Sequence, residues 1–333
     1  MPDDISTSRT VRSVDGPGEW AVHWLLLDGN RIAIAGCLVL GVFGVVYGLA
    51  ATGLVAVGPE STASTAFASG LVSGTLTLVT VALSINQLIL SRVFGSPDEL
   101  SDELEGTREL RQRVRRIAGE PSTPNDPARF LSLIATTLRD RAGRLRSAVE
   151  GSGWAAPEEV DRYVDGIESY GESIDSKVES ETAIVGVLAV LLGTEYARNL
   201  TATERLRNEY DAHLSTEAED HLEAIDDLLE TVAITRQFFK TLSLQQDFAR
   251  LSRVLAYSGL LALLASLTMA LLYRTDSVTV PPEYLPVVVA VGVAVVVVPL
   301  AVFLAYILRA ATIARHTVSV GPFVPPEDRP EDA

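Results

Sequence analysis

The chain has 333 residues, 47% of them hydrophobic, yet it carries a formal net charge of −16 from 27 basic and 43 acidic side chains, with a mean hydropathy of +0.25. So much apolar content excludes intrinsic disorder as the main state, and it coexists with such a charge most simply when the apolar residues are gathered into membrane spans. A single cysteine, Cys37, excludes an intrachain disulfide framework and any CxxC site, and four scattered histidines leave little for histidine-rich catalysis.

Lysine occurs only at Lys177 and Lys240, so arginine supplies the remaining positive charge. An acidic chain with arginine in place of lysine is the habit of proteins that work in molar salt. There the Debye length falls to roughly 3 Å and self-repulsion is screened. Acidity is then a poor guide to a basic partner.

In chain order, residues 1–31 form an N-terminal segment with Arg9, Arg12 and Arg31. Ile32–Val57 is the first apolar run long enough to cross a bilayer as a helix, and it holds no charge. It starts too far in, and is too long, for a cleaved signal peptide. Cys37, Gly41, Gly44, Gly48 and Ala51 share one of its faces, with Gly44 and Gly48 forming a GxxxG pattern. This reads as a helix-packing stripe with Cys37 as a small buried residue. Thr65–Leu90 is the second span. On it Ser69, Ser73, Thr77, Thr80, Ser84, Gln87 and Ser91 recur at three- and four-residue spacing, which places seven polar residues on one helix face. Two readings stand: a packing face of hydroxyls, or the lining of a pore or hydrated cavity. Asn86 needs a polar partner in either case.

Residues 92–253 read as a helical domain inserted between spans two and three. Ser96-Pro97-Asp98-Glu99 opens a helix that stops near Gly119 and Pro121. Pro127 opens a second, ending at Gly151-Ser152-Gly153. Pro157-Glu158-Glu159 opens a third, expected to continue through Ala183–Gly193 towards Leu214. That apolar stretch of about 17 Å is too short to cross a bilayer. Ser215-Thr216-Glu217 opens a fourth, with no proline or glycine before the third span, so one continuous helix is expected to enter the membrane.

Charge is uneven along the insertion. Ten arginines face four acids between Arg108 and Arg146, whereas 21 acids face five basic residues between Ser147 and Glu230. Basic hairpins packed on acidic ones would explain this. So would contact of Arg111, Arg113, Arg115 and Arg116 with anionic lipid headgroups, or an anion-attracting vestibule. His213, Glu217 and His221, at spacings of four, share a face if one helix carries all three. They are a weak metal site, since the outer pair lies about 12 Å apart; the expectation is a solvated acidic face and no metal. Asn199-Leu200-Thr201 matches a glycosylation sequon on the side expected to be cytoplasmic.

Val254–Tyr273 and Leu285–Leu308 are the third and fourth spans, and Pro299 is a candidate hinge in the last. Residues 311–333 are expected to be a disordered tail. The arginines before span one, after span two, before span three and after span four place both termini and residues 92–253 in the cytoplasm of a cell-membrane protein. No span holds an ionisable residue, a voltage-sensing arginine ladder or a TVGYG filter, which favours a passive channel or a non-transporting protein over a coupled transporter. No GxSxG, P-loop, GxGxxG or kinase signature is present, so no enzyme activity and no cofactor are expected.

Ser84-Ile85-Asn86-Gln87-Leu88-Ile89-Leu90-Ser91-Arg92, followed by Gly95-Ser96-Pro97-Asp98-Glu99-Leu100 and Glu105-Gly106, resembles a group of haloarchaeal multi-pass membrane proteins of unknown function. The resemblance brings no activity with it. The layout of four spans with a helical insertion after the second is similar to that of bestrophin-type anion channels, in layout only. The fold expected is all-α: spans within residues 32–91 and 254–310, a helical domain over 92–253 and short outer loops. The function expected is an oligomeric pore lined by span two. The alternative is a membrane scaffold or sensor that binds a cytoplasmic protein through the helical domain. Membrane lipid and further copies of the chain are the expected partners, and nucleic acid is not.

Overall fold

The computed structural model describes residues 5, 7–9, 18, 21–22, 24–58, 61–93, 97–178, 184–193, 195–274, 277–278 and 280–316. In chain order the helices are α1 (Arg31–Ala51), α2 (Val72–Val93), α3 (Pro97–Ala118), α4 (Pro127–Gly151), α5 (Glu158–Val178), α6 (Ile184–Val190), α7 (Glu195–Tyr210), α8 (Thr216–Leu272) and α9 (Leu285–His316). A π-helical turn, Ala66–Leu71, leads into α2. A two-residue antiparallel pairing, Tyr273–Arg274 with Ser277–Val278, follows α8. Four helical stretches are long and apolar enough to cross a membrane: Arg31–Ala51, Ala66–Ile85, and parts of Thr216–Leu272 and Pro282–Ala314. The chain divides into two compact units. One is a bundle of residues 24–95 and 244–311; the other is built from residues 96–243 with both chain ends. α8 is unbroken across the boundary, as its lack of proline and early glycine requires.

In the bundle unit, two apolar clusters fix the direction of each helix. One joins Ile34 of α1, Ala82 of α2, Leu251 and Leu255 of α8, and Ala301 and Ala305 of α9. The other joins Phe67 before α2, Met269 and Tyr273 at the end of α8, and Leu285 and Val289 at the start of α9, with Val46 packed against them. The start of α1 therefore lies with the end of α2, the start of the apolar part of α8 and the end of α9: four helices running alternately up and down. Tyr273 closes the far end by donating to the Val57 carbonyl at 2.7 Å. Small residues let α8 approach its neighbours. A Cβ at Gly259 would stand 2.6 Å from Val79 Cγ2, and one at Gly292 would stand 2.8 Å from Met269 Cγ.

In the insert unit, α4 packs along α5, and Leu131, Ile134, Leu138, Leu145, Tyr163 and Ile167 are fully buried between the elements. Asp126 caps α4 by accepting from Arg129 N, with Pro127 in the first turn. α3 ends in a Schellman turn: Gly119 takes φ 73° while the Glu120 amide reaches back to the Arg115 carbonyl at 3.2 Å. Basic α4 does lie on acidic α5, through Arg146 with Asp165 and Glu168.

Three expectations need correction. The third insertion helix is not one element but α5, α6 and α7. Among the described residues the break follows Val190, where the apolar run folds in to bury Val187 and Leu188 of α6 and Leu191 and Leu192 after it instead of extending a rod into α7; residues 179–183 lie outside the described residues. The α9 helix continues to His316, so the first part of the expected tail is helical; residues 317–333 lie outside the described residues. Cys37 is exposed rather than buried.

Candidate functional site

The polar stripe of the second span faces away from the bundle. Ser69, Ser73, Thr77, Thr80, Ser84 and Gln87 are all exposed, whereas Phe67, Thr75 and Ala82 on the other side are buried. Ser69, Thr77, Thr80 and Ser84 each donate to the carbonyl four residues earlier, at 2.7–2.9 Å. Each hydroxyl is thus satisfied as a donor by its own helix and presents oxygen lone pairs outward. The Asn86 and Ser91 side chains lie outside the described residues. Among the described residues the stripe is not a packing face within this chain.

Nor is the glycine stripe of α1 packed within the chain. Among the described residues, nothing beyond the helix's own turns stands within 4 Å of a Cβ built at Gly41, Gly44 or Gly48. The expected packing partner is absent because α2, α8 and α9 meet α1 along Ile34, Ala35 and Val46 instead. Pro299 sits inside α9, which is helical on both sides of it, and Gly292 is the notch that admits Met269.

At the end where α1 begins, three charges are buried together: Arg31 (4% exposed), Asp247 (7%) and Arg309 (7%). Arg309 holds both Asp247 carboxylate oxygens at 3.1 and 3.2 Å and donates to the Gly29 carbonyl at 2.9 Å. Arg31 donates to Gly29 and Leu25 carbonyls at 2.9 Å and to Ala305 at 3.4 Å. Asn30 caps α1 by accepting from Ile32 and Ala33 amides. The sequence reading used Arg31 and Arg309 only as orientation signals and passed over Asp247. The signal it missed was a lone acid on α8, after Gln245-Gln246 and about two turns before a span.

In the insert unit the four candidate headgroup arginines divide. Arg111 bonds the Thr123 carbonyl and Asn125 and lies 5.9 Å over the Phe130 ring; Arg113 pairs with Asp227 and Glu230. Arg115 and Arg116 are exposed in the last turn of α3. The metal candidates separate. α8 begins at Thr216, so His213 lies in the preceding turn, edge-on to Trp154. His221 is buried with its Nδ1 3.4 Å from Arg141, whose cation opposes a metal ion there. Among the described residues no cluster of three or more His, Cys, Asp or Glu could hold a metal. Asn199 is fully buried, which removes it as a glycan acceptor. Burial also holds the Tyr163 phenol well above its ordinary range, so its hydrogen bond with Thr203 at 2.8 Å is one between neutral hydroxyls.

The chain belongs to a family of unknown function, DUF7972, whose model matches residues 2–333. No curated protein and no solved structure matches it.

Proposed function

For this family member we propose a multi-pass membrane protein whose copies assemble into a pore lined by α2 and the turn before it. The observation that carries the reading is the outward stripe Ser69, Ser73, Thr77, Thr80, Ser84 and Gln87 on a helix whose other residues are mainly Leu, Val, Ala, Ile and Gly. A lipid-facing surface gains nothing from such a stripe, whereas a water path uses its free lone pairs. One four-helix bundle encloses no central path, so the lining requires further copies. The open Gly41, Gly44 and Gly48 stripe offers a face on which a helix can approach closely. The Arg31–Arg309 end, with Arg250 and Arg253 nearby in sequence, is assigned to the cytoplasm by the positive-inside rule. Both chain ends and residues 92–253 follow it there. Exposed Arg115 and Arg116 fit contact with anionic headgroups. The reading calls for no catalysis, cofactor or nucleic acid.

The test is particle mass and flux. The protein in mild detergent should behave as a tetramer or larger ring. In liposomes, Ser73→Leu with Thr77→Leu should cut ion flux at least tenfold at unchanged particle mass. A monomer, or undiminished flux in the double variant, rejects the pore. A second reading, a scaffold or sensor, is favoured by the unbroken α8, which runs from the insert unit into the bundle unit. It expects no flux and a specific cytoplasmic protein bound to residues 92–253.

A further inference from the structure

Ile5 and Thr7–Arg9 have no regular secondary structure, yet they are held by the insert unit. Ile5 is 3% exposed. Ser8 is clamped through its backbone: its amide donates to Asn199 Oδ1 at 2.7 Å, and Asn199 Nδ2 donates to its carbonyl at 3.3 Å. Thr7 sits where α5 has Gly166, and a Cβ at that glycine would overlap the Thr7 side chain. Arg9 follows in a shallow depression it shares with Arg139, Asp165, Glu168, Ser169 and Glu172, where Arg146 already pairs with Asp165 and Glu168.

A side-chain amide that pairs with both the N–H and the C=O of one residue reads backbone, not sequence. It suits a segment that makes no hydrogen-bond ladder of its own. Asn199 is completely buried in the second turn of α7, a position where an apolar residue would serve the core better. Among the described residues its amide bonds only to Ser8, so the segment supplies the protein partners of both its donor and its acceptor. Its own carbonyl accepts from Thr203, which is in turn bonded to Tyr163, so the clamp stands on a buried polar network. Specificity comes from either side of the clamp. An apolar residue three positions before it is buried and a small residue just before it meets the glycine notch, while the cation just after it shares a mixed-charge depression in which Glu172 makes no ion pair among the described residues.

We infer that the α5–α7 surface, centred on Asn199 and Gly166, is a peptide-recognition site for a segment of the pattern apolar-x-Thr-Ser-Arg, and that its occupant is the chain's own Ile5–Arg9 bound in cis. The inference is independent of the pore reading, since every residue in it belongs to the insert unit. Gly166→Ala is the informative variant. Alanine favours helix over glycine, so α5 keeps its fold while the notch closes.

The experiment uses full-length protein in nanodiscs and a fluorescein-labelled peptide of residues 2–12. Backbone hydrogen exchange is followed at residues 5–9. Ile5→Asp should release the segment, raising exchange there at least tenfold with the α4 and α5 core still protected. The vacated site should then bind the peptide at least tenfold more tightly than the wild-type protein does. Adding Gly166→Ala to Ile5→Asp should abolish that binding with the core protection retained. Unchanged exchange in Ile5→Asp, equal binding to wild-type and Ile5→Asp proteins, or binding that survives Gly166→Ala would each overturn the proposal.

Discussion

His221 shows how a side chain's surroundings decide its chemistry. The residue is 8% exposed. Its burial first, then Arg141 and Arg144, hold its pKa below the ordinary histidine value against the opposing pull of Glu217 and Asp220. The imidazole is therefore kept neutral in the fold, whereas in the unfolded chain it titrates near 6.5. As pH falls below that value the unfolded state takes up a proton that the folded state refuses. This contribution to stability is whole above the unfolded pKa and is lost as pH falls towards the folded one. Thermal unfolding of the wild type at pH 8 and pH 5.5 should show a drop in Tm on acidification that shrinks in His221→Gln. An equal drop in both proteins would mean that other groups carry the acid sensitivity. The spacing of His213, Glu217 and His221 concealed this. Ser215 accepts from the Ala218 amide and caps α8, so the first histidine never joins the helix that carries the other two.

Which way a helix face points is decided by neighbours that a linear pattern does not contain. The seven-residue polar stripe of the second span is legible in the sequence because its three- and four-residue spacing matches helix geometry. That it faces outward depends on Phe67, Val79 and Ala82 meeting α8 and its partners. The same limit explains the third insertion helix. Residues 184–192 are apolar all round, and a run without periodicity is equally consistent with a continuing helix and with a short buried one. Boundaries set by local chemistry were legible: Pro97, Gly119, Pro127 and Gly153 all mark observed helix ends. The close contact of α2 and α8 gives the check on packing. Gly259→Val would drive a branched side chain into Val79 and should cost about 1–3 kcal/mol by overpacking. The loss would be read as a lower denaturation midpoint in detergent. Gly44→Val, at an open position on α1, should leave the midpoint of a dissociated single chain unchanged. If the two substitutions cost the same, the α2–α8 approach is not as close as 2.6 Å implies.

The bundle's architecture rests on charges as much as on apolar contact. Arg309 lies about two turns before the end of α9, Asp247 precedes the apolar half of α8, and Gly29 precedes the start of α1 at Arg31; far apart in sequence, they are joined in one buried network. Such a network forms only if these three ends lie together, so it enforces the alternating order of the helices as well as stabilising it. A buried ion pair adds little net stability over a well-packed apolar pair, but losing one partner strands the other charge. Asp247→Ala leaves Arg309 and Arg31 buried with carbonyl acceptors but without the carboxylate, and should cost about 3–5 kcal/mol. Asp247→Leu combined with Arg309→Met removes both charges of the pair. It should cost clearly less than the single change, because Arg31 still bonds Gly29, Leu25 and Ala305. Chemical denaturation of the two variants beside the wild type measures that difference directly. If the double variant is as unstable as the sum of its parts, the two residues act independently. The ordering of α1, α8 and α9 would then have to rest on the apolar clusters around Ile34 and Leu255 alone.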